Sequence, residues 1–177
     1  MSYSSSRILL SSQREGQISR FRAWILVAVS VGAIGFQVYV PTFFQWLAFI
    51  DMPLLVVVYF ALMRRSPVSG LVTGAVVGLA QDSLSKNPLG MFGIVNTLVG
   101  YFAASIGARL DVDHTFIRLL LAFFFYVFHQ VFYWLMARAL LGQTLKFNWA
   151  QDLVAGLLNA VIGIALFHLL DRLREPA

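Results

Sequence analysis

The side chains able to do chemistry are few and scattered, since only 12% of the 177 residues are charged. Histidines stand at positions 114, 129 and 168, in separate segments without the spacing that shared metal ligation needs. No H-E-x-x-H, no G-x-S-x-G turn and no phosphate-cradling G-x-x-x-x-G-K-[ST] occurs. The neighbouring carboxylates Asp111 and Asp113 sit among arginines in a polar link, which favours a solvated connection over an acid–base pair. Cysteine is absent, so neither a disulfide nor a thiolate metal site can form. These features argue against an enzyme, and neither a cofactor nor a metal is expected.

What stands out instead is a set of polar groups inside apolar runs. A carboxylate at mid-membrane costs about 2.5–3.5 kcal/mol on insertion scales, less toward the interface, so Asp82 needs a reason. It is either a helix-end residue at the water boundary or a partner for Lys86, or else a buried contact. In the second case it fixes its helix to the next or lines a small-molecule pocket. His129 and Gln130 fall mid-segment, with Tyr126 and Tyr133 near the imidazole on the same helical face. That grouping predicts an inter-helix hydrogen bond rather than a ligand. Asn96 and Asn159 are the other deep polar groups, expected to hold helices together. Ser66, Gly70, Gly74, Gly78 and Asp82 recur every four residues and so form one stripe of a helix. Small residues at that spacing let another helix approach closely, which matters where lipid gives no hydrophobic push. The stripe is an internal packing seam or a docking face for a partner's membrane helix.

The elements that carry these groups follow from composition. Hydrophobic residues make up 59% of the chain, whereas a soluble domain is about 25% charged. Folding at this size buries only about 70% of a chain's surface, so the solvent must be lipid. Six spans are expected in one all-α transmembrane domain over residues 23–171: about 23–40, 47–63, 67–82, 91–108, 115–137 and 151–170. Pro41 is expected to end the first. Phe43, Phe44, Trp46 and Phe49 suit a connector at the membrane–water interface. Pro53 opens a short second span; residues 53–63 alone reach only about 16 Å, so it either starts earlier, near Leu47, or is half re-entrant. Pro67 fits a helix N-terminus, and the turn-rich run 83–90 closes that helix. Residues 1–22 read as a polar, basic cytoplasmic tail; the polar stretch is long and no A-x-A pattern marks a cleaved leader. Residues 172–177 form a charged cytoplasmic end.

Basic residues fix the expected orientation. With the N-terminus inside, the inner segments hold Arg7, Arg14, Arg20, Arg22, Arg64, Arg65, Arg109, Arg118, Arg172 and Arg174. The outer ones hold Lys86, Arg138 and Lys146. Both termini should therefore face the cytoplasm. No basic stripe suited to nucleic acid appears, and none is expected to bind.

One stretch has a recognisable order. A short apolar helix ends in Tyr59-Phe60-Ala61-Leu62, ahead of Arg64-Arg65-Ser66-Pro67. Then come Gly78-Leu79-Ala80-Gln81-Asp82, Pro88-Leu89-Gly90 and Leu98-Val99-Gly100-Tyr101. This order resembles the bacterial rod shape-determining MreD family over about residues 53–105. The motif positions are Tyr59, Arg65, Pro67, Asp82, Pro88, Gly90 and Gly100, none of them catalytic. One departure is visible: many relatives place an acidic residue directly after the proline, whereas here Asp51 precedes Pro53 by two.

The resemblance implies a non-enzymatic, multi-pass subunit of the cell-elongation machinery in a bacterial inner membrane, with both termini cytoplasmic. It implies binding to MreC, a single-span protein, in support of peptidoglycan synthesis. Through MreC it implies contact with the elongation transpeptidase, the glycosyltransferase RodA and, indirectly, MreB filaments. Membrane lipid is the remaining expected partner. The family's fold is similar to the six-helix substrate-binding subunit of energy-coupling-factor transporters. That kinship supplies the rival expectation of a vitamin-type binding subunit, with Asp82, Asn96 and His129 converging on a pocket near the outer surface.

Overall fold

The computed structural model describes residues 23–85, 88–142 and 148–173. The tail 1–22, with Arg7, Arg14, Arg20 and Arg22, lies outside the described residues, as do Lys86, Lys146 and Arg174. Among the described residues six α-helices follow one another: α1 Ala23–Phe43, α2 Met52–Arg64, α3 Pro67–Leu84, α4 Met91–Gly107, α5 Thr115–Leu141 and α6 Trp149–Asp171. A 3-10 turn, Gln45–Phe49, joins α1 to α2.

The packing is that of a protein in an apolar solvent. Large apolar side chains such as Trp24, Val76, Phe116 and Val154 are mostly exposed, while Asn96, His129, Asn159 and Arg118 are buried. Among the described residues four stretches are long and apolar enough to cross a membrane: Trp24–Phe43, Gln45–Arg64, Thr115–Leu141 and Trp149–Asp171. α4 is a shorter apolar helix. α3 is not among the four; Thr73, Gln81, Asp82 and its glycines lower its hydropathy.

Helix α2 is the pillar of the bundle, with every residue from Pro53 to Met63 buried. Its start differs from the expected one near Leu47. Leu47 belongs to the 3-10 turn, Ile50 is extended, and the α-helix begins only at Met52. The cause is local. The Asp51 carboxylate accepts the Leu54 N–H at 3.1 Å, an N-cap, and Pro53 fills the first turn where its missing N–H costs nothing. Arg65 ends α2 in the left-handed region (φ 52°), donating its N–H to the Ala61 carbonyl. Pro67 then opens α3.

Pro41 does not stop α1, which runs on to Phe43. A proline one turn from a helix end removes a single bond, the one to the carbonyl of residue 37. The Phe44 N–H still reaches the Val40 carbonyl at 3.0 Å.

Candidate functional site

The glycine stripe lies against α4, and the two backbones touch. A Cβ on Gly70 would stand 2.2 Å from the Gly100 carbonyl oxygen, on Gly74 2.0 Å from that of Asn96, and on Gly78 2.3 Å from that of Phe92. Gly100 answers from the other side, its own Cβ meeting the Gly70 carbonyl oxygen at 2.1 Å. The stripe is thus covered by the chain's own helix.

At the C-terminal end of that seam Asp82 is buried, 2% exposed. Its carboxylate accepts three backbone N–H groups, from Gly90 at 2.9 Å, Phe92 at 3.1 Å and Gly93 at 2.9 Å. These are the first donors of α4, which have no partner within the helix. A side chain from one helix therefore caps the next, and its negative charge sits at the positive end of the α4 dipole. Gly90 makes the geometry possible: it adopts φ 96°, a left-handed conformation that costs glycine little. Beside it Asn96 Nδ2 donates to Gln81 Oε1 at 3.2 Å.

The second group centres on Asp51. Its backbone N–H donates to Asn159 Oδ1 at 2.8 Å. Asn159 Nδ2 donates to the carbonyls of Phe49 at 2.6 Å and Ala155 at 2.9 Å. One amide thereby stitches the 3-10 turn and the start of α2 to the middle of α6. The Met52 N–H points at Gln37 Oε1, 3.4 Å away on α1. His129 Nδ1 lies 3.8 Å from Asp51 Oδ2, and neither ring nitrogen has a hydrogen-bond partner among the described residues. The expected inter-helix hydrogen bond of the imidazole is not made among the described residues. Tyr126 instead accepts from Gln130 Nε2, and the imidazole stacks on Phe92 (5.8 Å between centroids, 6° between planes) with Tyr133 alongside. Aromatic neighbours on α4 and α5 claim the ring by shape.

The opposite end of the bundle holds a third group. Arg118 is buried, its Nη1 bonded to Asp171 Oδ2 and its Nε donating to the Val112 carbonyl at 2.7 Å. Tyr59 donates its hydroxyl to the other oxygen of Asp171 at 2.8 Å. Asp113 Oδ1 lies 3.6 Å from Arg118 Nη2, so the polar link is tied to the start of α5. Arg118 thus acts as a buried clamp, although in the sequence it reads as one more boundary charge.

Of the remaining motif positions, Arg65 and Pro67 shape the α2–α3 corner, and Pro88 accepts the Met91 N–H on its carbonyl at 3.4 Å. Sequence reasoning missed Gln37, Gln81, Asp171 and the cap formed by Asp51; the order Asp-x-Pro was the one signal available. Asp82, Asn96 and His129 stand apart from two hollows formed by the described residues. One hollow of about 380 Å3 lies between Phe49 and the first half of α6, and another of about 290 Å3 between α1 and α3. None of the three residues lines either. Among the described residues no group of His, Asp or Glu is placed to hold a metal.

No curated protein matches this chain, and no solved structure matches it. A family model described as rod shape-determining protein MreD matches residues 18–173.

Proposed function

We infer from one fact, that this chain belongs to the rod shape-determining protein MreD family, that it serves cell shape as a non-enzymatic membrane scaffold. The match over most of the chain carries this reading. The arrangement of three buried polar groups agrees with it, because they form ties between helices: Asp82 to α4, Asn159 to the start of α2, Arg118 to Asp171. A rigid bundle with an apolar outer surface suits a protein that positions others.

In the fuller proposal the chain crosses the bacterial inner membrane six times, with both termini in the cytoplasm. It binds a single-span MreC-type protein, and through it the elongation transpeptidase and a RodA-type glycosyltransferase, with MreB filaments as indirect partners. Because α4 covers the glycine stripe, the partner's helix meets a different face of the bundle. The test is to tag the C-terminus, solubilise gently from the native membrane and identify what co-purifies by mass spectrometry. Recovery of a single-span coiled-coil protein with cell-wall synthases supports the scaffold. Recovery of paired ATPases with a coupling membrane subunit overturns it and favours the vitamin-binding alternative.

A further inference from the structure

Between α1 and α3 runs a groove of about 290 Å3, lined on one side from Leu26 to Ile34 and on the other from Val72 to Ala80. Each stretch is about 12 Å long at 1.5 Å per residue. The rim is apolar and open: Val27, Val31, Val72 and Val76 are each more than half exposed. Two features set this groove apart from an ordinary lipid-facing seam. Ser30 lines it with a side chain that is 94% buried (6% exposed) and a hydroxyl without a hydrogen-bond partner among the described residues. Arg64 lines it too, at the end of α2.

The position of Arg64 gives the groove a head and a tail. Its Nη1 donates to Ser69 Oγ at 2.9 Å, so the guanidinium sits at the level of Ser69, one turn before Val72. The groove then runs away from it, along α3 toward Ala80. Among the described residues no carboxylate lies within ion-pair distance of Arg64, and no acidic residue lines the groove. A guanidinium has five donors in a planar fork suited to phosphate, and one serine oxygen satisfies only part of it. Basic pockets between membrane helices take anionic lipid headgroups on these grounds.

We propose that the α1–α3 groove binds one anionic phospholipid, with its phosphate on Arg64 and an acyl chain laid along Val72, Val76 and Ala80. The Ser30 hydroxyl, deeper in the groove, is a donor for an ester carbonyl. The proposal requires only that the bundle sit in a membrane, and it stands or falls independently of the cell-wall partners.

The experiment uses the full chain in mild detergent, stripped of lipid and then offered phosphatidylglycerol and phosphatidylcholine with matched acyl chains. Native mass spectrometry reads the retained lipid. One phosphatidylglycerol should stay bound, favoured over phosphatidylcholine by about fivefold, the effect of one cation near an anionic headgroup. Arg64→Gln should abolish the preference, and Val76→Trp, which fills the groove from its rim, should lower retention of both lipids. Arg65→Gln should leave binding unchanged. Equal retention of the two lipids by the unaltered chain overturns the proposal. So does undiminished phosphatidylglycerol binding in Arg64→Gln, or crosslinking of Val76→Cys to a partner protein while lipid retention ignores Val76→Trp. Should Arg64→Gln fail to fold, the lipid preference of the unaltered chain and the Val76→Trp result decide.

Discussion

Asp82 is a single carboxylate that completes a helix belonging to another part of the chain. Asp82→Ala leaves the N–H groups of Gly90, Phe92 and Gly93 unpaired in a buried setting, so it should cost about 1–3 kcal/mol. Asp82→Asn keeps one acceptor oxygen and should lose less. Thermal unfolding in detergent checks both: equal transitions for the two variants would show that the retained acceptor oxygen contributes nothing, and equal transitions for Asp82→Asn and the unaltered chain that the charge at the helix end contributes nothing. Arg118→Gln should cost about 1.5–3 kcal/mol, toward the lower end because Asp171 keeps partial contact with solvent. The prominence of Asp82 was legible in the sequence, since a carboxylate in an apolar run needs a partner. The partner was not legible, because backbone N–H groups have no sequence signature. The tie made by Arg118 was not legible for a related reason: its carboxylate lies 53 positions away, beyond any local pattern.

The α3–α4 seam makes the element-scale argument. Gly74 has no room for a methyl group, with the Asn96 carbonyl oxygen 2.0 Å from where it would sit, whereas nothing lies within 4 Å of a Cβ on Gly32 in α1. Gly74→Ala should therefore destabilise by about 1–3 kcal/mol through overpacking. Gly32→Ala should stabilise by about 0.4–1 kcal/mol, since it only reduces the freedom of the unfolded chain. Opposite shifts in the thermal transition are the expected outcome; shifts of the same sign would remove the seam as the cause. The spacing of four made the face visible in the sequence, but nothing in it named α4 as the neighbour. The start of α2 was placed near Leu47 by an argument from length, since residues 53–63 alone reach only about 16 Å. The Asp51 cap and the Asn159 tie are tertiary choices that override it.

Across the whole molecule, the six helices and their apolar surface follow from composition and periodicity, while the inter-helix ties depend on residues far apart in the chain. The absence of cysteine makes orientation directly measurable. Single cysteines at the exposed positions Leu89 and Asp111 should react oppositely with a membrane-impermeant maleimide on intact cells whose outer membrane has been opened. Leu89→Cys should label at once and Asp111→Cys only after the inner membrane is breached; the reverse order would invert the proposed topology. The two ties that hold α2 also set a clock. Asp51 meets Asn159 across 108 positions and Tyr59 meets Asp171 across 112. At about 5–20 residues added per second, the central pillar leaves the ribosome roughly 5–20 s before either hydrogen-bonding partner is made. During that interval α2 is already packed by α1, α3 and α4, and what waits for the last helix is the pairing of its polar groups. A nascent chain stalled before α6 would hold the pillar in its apolar packing without the two hydrogen bonds that α6 supplies, so the last helix locks an arrangement that the earlier helices have already built.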